Sequence, residues 1–291
     1  MVSDENEKLI EGIKCLDYLK SKNIEDALRK FKREHFVPEG MKHLAYRDFP
    51  ISIGFNQTIS QPSTVVAMTE ALEVKPGQKI LEIGTGSGWQ AAILSCLSGA
   101  KGFVYTIEII EELAEFAKKN LKRLGIKNVE VLEKDGSEGL KEKAPFDRII
   151  VTAACPEIPK PLLEQLKDGG IMVLPIGNLY LQDMFVVKKL KGKIEKKSIG
   201  SFMFVPLLGR FGFHDLAPVQ SPVMDKSDVP LPAHRKMKRY YKPDSGELQG
   251  GAPTAGRPGV FRKARATPST MNWRLSSTSF VSEFVCGASV R

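Results

Sequence analysis

The chain has 291 residues, 42% hydrophobic and 26% charged, with a net charge of +9. That balance is ordinary for a globular protein, and no apolar run approaches the roughly 20 residues a bilayer span needs. Residues 215–291 hold 12 Lys+Arg against 6 Asp+Glu, and residues 1–214 hold 31 against 28, so the excess charge implies a solvated basic tail and disfavours nucleic acid as a partner.

The N-terminus "MVSDENEKLI" is acidic and polar, unlike a secretory signal. Cys15, Cys96, Cys155 and Cys286 are far apart and form no CxxC pair. Neither a disulfide framework nor a metal site is expected, and the location that fits is a reducing cytoplasm. Leu9, Ile10, Ile13, Leu16 and Leu19 recur at helical spacing. Asn23 reads as the N-cap of a second helix through Phe31. From Arg33 to Pro62 Pro and Gly punctuate an irregular segment. Pro62 suits the first turn of a helix to about Leu72, with Ser60 as its candidate cap.

From Lys79 strands and helices alternate. "KILEI", "FVYTIE", "VEVLE", "FDRIIVTAA" and "IMVLPIG" read as strands. "WQAAILSCL", "IEELAEFAKKNLKRLG" and "KPLLEQLKDGG" read as helices, the last two ending in Gly. Such alternation predicts a doubly wound, mostly parallel α/β sheet. Two β-rich runs then flank "KGK" and predict an antiparallel hairpin at the sheet's edge. The Pro-, Gly-, Ser- and Arg-rich residues 215–291 show no sustained period and are expected to be disordered. The expected domain is 1–214, with a helical cap and substrate loop over 1–62 and a cofactor-binding sheet over 63–214.

Chemistry concentrates at the ends of the predicted strands. "LEIGTGSGWQ" places Gly84, Gly86 and Gly88 between a strand and a helix, where bare backbone and a helix N-terminus approach a ligand. A phosphate-binding P-loop is excluded, because no GxxxxGK[ST] is present. The dinucleotide pattern fits only in its relaxed GxGxxA form, from Gly86 to Ala91. The pattern present, E-x-G-x-G-x-G from Glu82 to Gly88, resembles the first motif of class I methyltransferases, whose ligand is S-adenosylmethionine. Glu108 ends the next strand, where a carboxylate accepts the hydroxyls of an adenosine ribose. Asp135-Gly136 follows the third strand, placed either to read an adenine edge or simply to turn the chain.

A more specific likeness rests on "REHFVP", "AYRDFPISIGFNQTISQP", "LEIGTGSGWQAAIL", "TIE", "KDGSEGL", "APFDRIIVTAACPEIPKPLLEQLKDGGIMVLPIG" and "FVPLLG". In this order, over roughly residues 1–213, they resemble the protein-L-isoaspartate O-methyltransferase family. The resemblance implies methyl transfer from S-adenosylmethionine to the α-carboxylate of L-isoaspartyl residues, which starts the repair of aged proteins. It implies a seven-stranded Rossmann-like methyltransferase fold, isoaspartyl peptides as partners and a monomer. By matched position, Gln57, Thr58, Ile59 and Ser60 form the loop over cofactor and substrate, with Ser60 as the catalytic residue. Glu82, Gly84, Thr85, Gly86, Ser87 and Gly88 match the methionine-binding turn, Glu108 the ribose acid, and Asp135 and Gly136 the adenine contact. Trp89 replaces a more usual Tyr, "KDG" replaces "GDG", Cys155 stands where small residues are usual, and the tail has no counterpart.

The chemistry is coherent without that likeness. A carboxylate is already the nucleophile at neutral pH, so no general base is required. His35, His43, His214 and His234 are scattered and form no dyad. Cys155 has no cationic neighbour in "TAACPEIP" and is expected to be a loop residue; Trp89 is expected to pack rather than to stack on a ligand. Two alternatives remain open from sequence: a methyltransferase for nucleic acid or a small molecule, and a non-catalytic adaptor using the tail. The first lacks an NPPY-type tetrapeptide, since Thr152-Ala153-Ala154-Cys155 occupies that point. The second lacks an amphipathic helix in the tail.

Overall fold

The computed structural model describes residues 4–213, and the predicted tail lies outside them. At the centre, β3 (Lys79–Ile83), β6 (Phe146–Val151) and β7 (Leu166–Gly177) carry near-continuous apolar sequence. Their residues alternate between two cores. Ile80, Ile150, Ile171 and Val173 face one; Leu81, Ile83, Ile149, Val151, Met172 and Leu174 face the other. A sheet buried on both sides needs that composition.

The sheet order is β5 (Val129–Glu133), β4 (Phe103–Glu108), β3, β6, β7, β8 (Gln182–Leu190) and β9 (Lys193–Phe202). The strands from β5 to β7 are parallel, and β8 and β9 are antiparallel. The β8–β9 hairpin turns at Lys191-Gly192, with φ of 50° and 75°, the left-handed pair a tight hairpin requires. The chain steps outward from β3 through β4 and β5, then returns to place β6 on β3's other side. Winding reverses between β3 and β6, and ligands of such sheets bind outside the strand ends at that point.

Helices α3 (Pro62–Leu72) and α4 (Trp89–Ser98) cover one face through Met68, Leu72 and Leu94. Helix α6 (Lys160–Gln165) covers the other through Leu162. Helices α1 (Glu5–Cys15) and α2 (Lys22–Lys30) form an outer layer, their Ile10, Ile13, Ile24 and Leu28 packing in one core with Trp89 and Ile93 of α4. Helix α5 (Glu111–Arg123) ends at Gly125 (φ 67°), where the Ile126 N–H donates back to the Leu121 carbonyl, the closure Gly provides.

Three local expectations are corrected. Asn23 is inside α2; Ser21 is the cap residue, and the acceptor comes from α3, where Glu70 takes the Lys20 and Ser21 N–H groups (2.8 and 2.7 Å) and the Ser21 hydroxyl. The segment expected to be irregular contains a hairpin, β1 (Ile51–Gly54) and β2 (Gln57–Ile59), turned by Phe55 and Asn56 at φ 51° and 56°. Finally, α6 stops at Gln165 instead of running to the glycines. Leu166 already pairs with Phe146, and Gly169-Gly170 fall in a register shift of β7.

Candidate active site

Four successive strand ends open into one cleft. Gly84 and Gly86 follow β3, Glu108 to Ile110 close β4, Gly136 follows β5, and Thr152 and Ala153 follow β6. The hollow spans about 580 Å³, a figure that includes its open mouth. A second hollow, lined by Thr58, Ile59, Ser60, Thr85, Ser87 and Trp89, continues it across Gly84, Gly86 and Thr152. The cleft thus joins the sheet's ligand edge to the loop between β2 and α3.

The glycine turn is shaped by contacts that exclude side chains. Gly84 has φ 93°, and a Cβ there would lie 2.5 Å from the Thr152 hydroxyl oxygen. That hydroxyl donates to the Ile83 and Gly84 carbonyls (3.0 and 2.7 Å), so Thr152 fixes the floor. Gly88 serves a different purpose from the one expected. A Cβ on it would press on Ala117 and Leu121 of α5 at 3.3 and 3.4 Å; it lets α4 and α5 approach and does not line the cleft.

Glu108 is 6% exposed. Its Oε2 accepts the Gly86 N–H (2.8 Å), and its Oε1 accepts those of Ile109 and Ile110 (3.0 and 3.2 Å). Burial raises its pKa, and the three N–H groups oppose that shift. One carboxylate therefore ties the glycine turn to the end of β4 while lining the cleft. A bare-backbone floor beside a buried, backbone-anchored acid fits the nucleoside and methionine portions of S-adenosylmethionine.

Glu82 and Asp135 are placed otherwise than expected. Glu82 is fully buried on β3, does not line the cleft, and has no hydrogen-bond partner for either oxygen among the described residues. The nearby Thr106 hydroxyl pairs with Thr85 at 2.7 Å. Burial pushes the Glu82 carboxyl up to about 8, so it holds its proton at neutral pH. Asp135 spends its oxygens inside the protein. Oδ1 accepts the Ser137 backbone and hydroxyl (2.8 and 2.7 Å), and Oδ2 accepts the Arg210 N–H (2.7 Å). It ties down the segment whose Val205 to Leu208 wall the cleft, while Gly136 supplies the lining.

The Glu82 placement makes a pH prediction. The carboxyl's ordinary value is 4.5 and its folded value is about 8. Its contribution to stability is complete below about 4.5 and is lost as pH rises toward about 8, because the folded state keeps a proton the unfolded chain has released. Glu82→Gln removes that loss. In thermal melts without ligand, the variant should gain on wild type between pH 5 and pH 8.5; parallel curves would contradict the assignment.

Ser60 owes its freedom to Asp48. The cap position of α3 is Gln61, and Asp48 Oδ1 accepts the Ser63 N–H (2.8 Å) while Oδ2 accepts from the Gln61 side-chain amide (3.1 Å). The expected capping role of Ser60 is thereby taken by another residue. Ser60 is half-buried and lines the cleft, and its hydroxyl has no hydrogen-bond partner among the described residues.

Gln57, Thr58, Ile59, Ser60, Gly84, Thr85, Gly86, Ser87, Glu108 and Gly136 line the joined hollows. Sequence reasoning missed Thr152, Ile109, Ile110, Met68 and Val205 to Leu208. Trp89 packs as expected, 3% exposed, with its indole N–H on the Phe31 carbonyl at 2.8 Å. Cys155 is buried in the core and burial pushes its thiol up to about 12, which disfavours the thiolate that a nucleophile needs. Among the described residues, no helix is long and apolar enough to cross a membrane.

Comparison with known proteins agrees with this geometry. Residues 4–212 match the family profile described as Protein-L-isoaspartate(D-aspartate) O-methyltransferase. A protein-L-isoaspartate O-methyltransferase of Hyperthermus butylicus is 48% identical over 217 residues, covering 72% of this chain and 90% of the relative. One from Pyrococcus horikoshii is 47% identical over 210 residues, covering 72% and 94%. A solved protein-L-isoaspartate O-methyltransferase superposes with a TM-score of 0.66 at 32% identity, covering 71% of this chain and 67% of its own. A Plasmodium falciparum chain assigned the same activity, solved with S-adenosyl-L-homocysteine, gives a TM-score of 0.64 at 25% identity, covering 71% and 99%. With the profile spanning over two thirds of the sequence, the chain belongs to the protein-L-isoaspartate(D-aspartate) O-methyltransferase family.

Proposed function

We propose that this protein transfers a methyl group from S-adenosylmethionine to the α-carboxylate of L-isoaspartyl residues in damaged proteins, the first step of their repair. The carrying observation is the continuity of one cleft. It runs from Glu108 and the glycine turn, which suit a nucleoside ligand, to the unpartnered Ser60 hydroxyl beside α3.

S-adenosylmethionine supplies an electrophilic methyl group when bound. The chain's task is to align a carboxylate that is already ionised. Holding two reactants in register contributes about 7–11 kcal/mol to such a step. Glu108 and the turn from Gly84 to Ser87 would hold the methyl donor; Gln57, Thr58, Ile59 and Ser60 cover it and meet the peptide. Ser60 donates a hydrogen bond to the incoming carboxylate and acts as the catalytic residue. A direct cation would stabilise the substrate's charge most before reaction, when that charge is largest, and so would slow the transfer. Substrates are isoaspartyl peptides and proteins. The working form is a cytoplasmic monomer, and the near-neutral body carries no nucleic-acid role.

The methyl ester product closes spontaneously to a succinimide as the adjacent backbone nitrogen attacks the ester carbonyl and methanol leaves; water then reopens the ring, partly as normal aspartate. Incubating an isoaspartyl peptide with the protein and S-adenosylmethionine, and following it by chromatography, should show the isoaspartyl form falling as the aspartyl form appears. A peptide unchanged over many turnovers of added methyl donor would refute the reading.

A further inference from the structure

Arg33 is the only fully buried guanidinium among the described residues, at 0% exposure, and it forms no ion pair there. Instead it donates to five backbone carbonyls. Nη1 reaches Ala45 and Arg47 (3.1 and 3.2 Å), and Nη2 reaches Phe49, Ile59 and Ser60 (3.0, 3.3 and 2.9 Å). Its Cζ lies over the Trp89 ring, 5.5 Å from the centroid. Burial lowers its pKa to about 9, opposed by Asp48, so it is still a cation at neutral pH. One rigid fork thus gathers both ends of the segment that carries the β1–β2 hairpin and Ser60.

The direction of those bonds has a consequence. In a trans peptide the C=O and the following N–H point opposite ways. With the Ile59 and Ser60 carbonyls drawn onto Arg33, the Ser60 and Gln61 N–H groups point away from it. Neither has an acceptor among the described residues, and Ser60 lines the cleft. Two successive N–H donors and one free hydroxyl can together hold a carboxylate; of the two residues, Ser60 lies on the cleft lining and Gln61 is its immediate neighbour.

We propose that Arg33 is a positioning residue for methyl transfer: by holding the Ile59 and Ser60 carbonyls it aims the Ser60 and Gln61 N–H groups, with the Ser60 hydroxyl, at the substrate's α-carboxylate. This rests on the function proposed above. The cation acts one peptide group removed from the nucleophile, so it orients the donors without forming an ion pair that would quench the carboxylate.

The test uses the full chain, wild type and Arg33→Lys, which keeps the charge but loses the planar fork. Affinities are measured with S-adenosylhomocysteine bound, for an isoaspartyl peptide and for the same peptide with its α-carboxylate converted to a carboxamide. The wild type should favour the carboxylate, and Arg33→Lys should shrink that preference about tenfold, roughly the size of one hydrogen bond to a charged group. Affinity for S-adenosylhomocysteine should stay within twofold. A merely structural role would weaken both peptides alike, and that result, or an unchanged preference, overturns the proposal. Should the variant not fold, the amide resonances of Ser60 and Gln61 in the wild type decide. They should move downfield on adding the isoaspartyl peptide and not on adding the carboxamide; unmoved resonances overturn the proposal. A wild type that methylates no isoaspartyl peptide refutes the function itself, whereas an active wild type with an indifferent Arg33→Lys refutes only the Arg33 role.

Discussion

Glu108→Ala should weaken S-adenosylhomocysteine binding by at least about 100-fold. The carboxylate has two tasks. It accepts ribose hydroxyls in the proposed complex, and hydrogen bonds to a charged group contribute about 1.5–3 kcal/mol. It also satisfies the N–H groups of Gly86, Ile109 and Ile110, and a buried donor left unpaired costs about 1–3 kcal/mol. Both losses fall on the same turn, so binding and shape fail together. Thermal melts give an independent readout. Ligand at a thousand times its dissociation constant stabilises the wild type by about 4.1 kcal/mol; at that concentration the variant should show less than half of this. Affinity within threefold of wild type would remove Glu108 from the binding site.

Ser60→Ala should lower turnover on isoaspartyl peptides by about 10- to 100-fold, the effect of removing one donor to a carboxylate. S-adenosylhomocysteine affinity should change less than twofold. Stability distinguishes this role from capping. A Ser that caps a helix typically contributes about 1 kcal/mol, but here Asp48 accepts the Ser63 N–H. The melting temperature of Ser60→Ala should therefore match wild type. A destabilised variant with normal turnover would mean that the hydroxyl is structural after all.

The centre of the sheet was legible because its strands are buried on both sides. "KILEI" and "IMVLPIG" are dominated by apolar residues that the structure buries, and the Gly turns after β3 and α5 mark their own ends. The β1–β2 hairpin was hidden for a local reason: its turn uses Phe55 and Asn56 in the left-handed region, where Asn-Gly or Asp-Gly would have announced it. The short α6 shows tertiary structure overriding a local signal. "LKDGG" is a good helix stop, yet pairing of Leu166 with Phe146 takes the residues into β7.

The site divides along the same line. Gly84, Gly86 and Glu108 follow directly from their strands, so spacing along the chain located them. The wall from Val205 to Leu208 lies about 50 residues beyond β6 and reaches the cleft through Ala154, whose N–H and carbonyl bond to Val205 and Leu207 (both 2.8 Å). No short-range pattern encodes that contact. Position after the third strand leaves Asp135 either an adenine contact, as the family resemblance implies, or a turn residue; its oxygens are held by Ser137 and Arg210. Arg33 belongs to the "REHFVP" stretch, but a buried arginine without an acidic partner has no signature in sequence.

The most direct measurement compares two peptides of one sequence, differing only in whether a single residue is joined through its α- or its β-carboxyl. Each is incubated with the protein and S-adenosylmethionine labelled at its methyl group. The account predicts label in the isoaspartyl peptide, released by mild base as expected of a methyl ester, and none in the aspartyl peptide. Equal labelling of both, or label in neither, would contradict it.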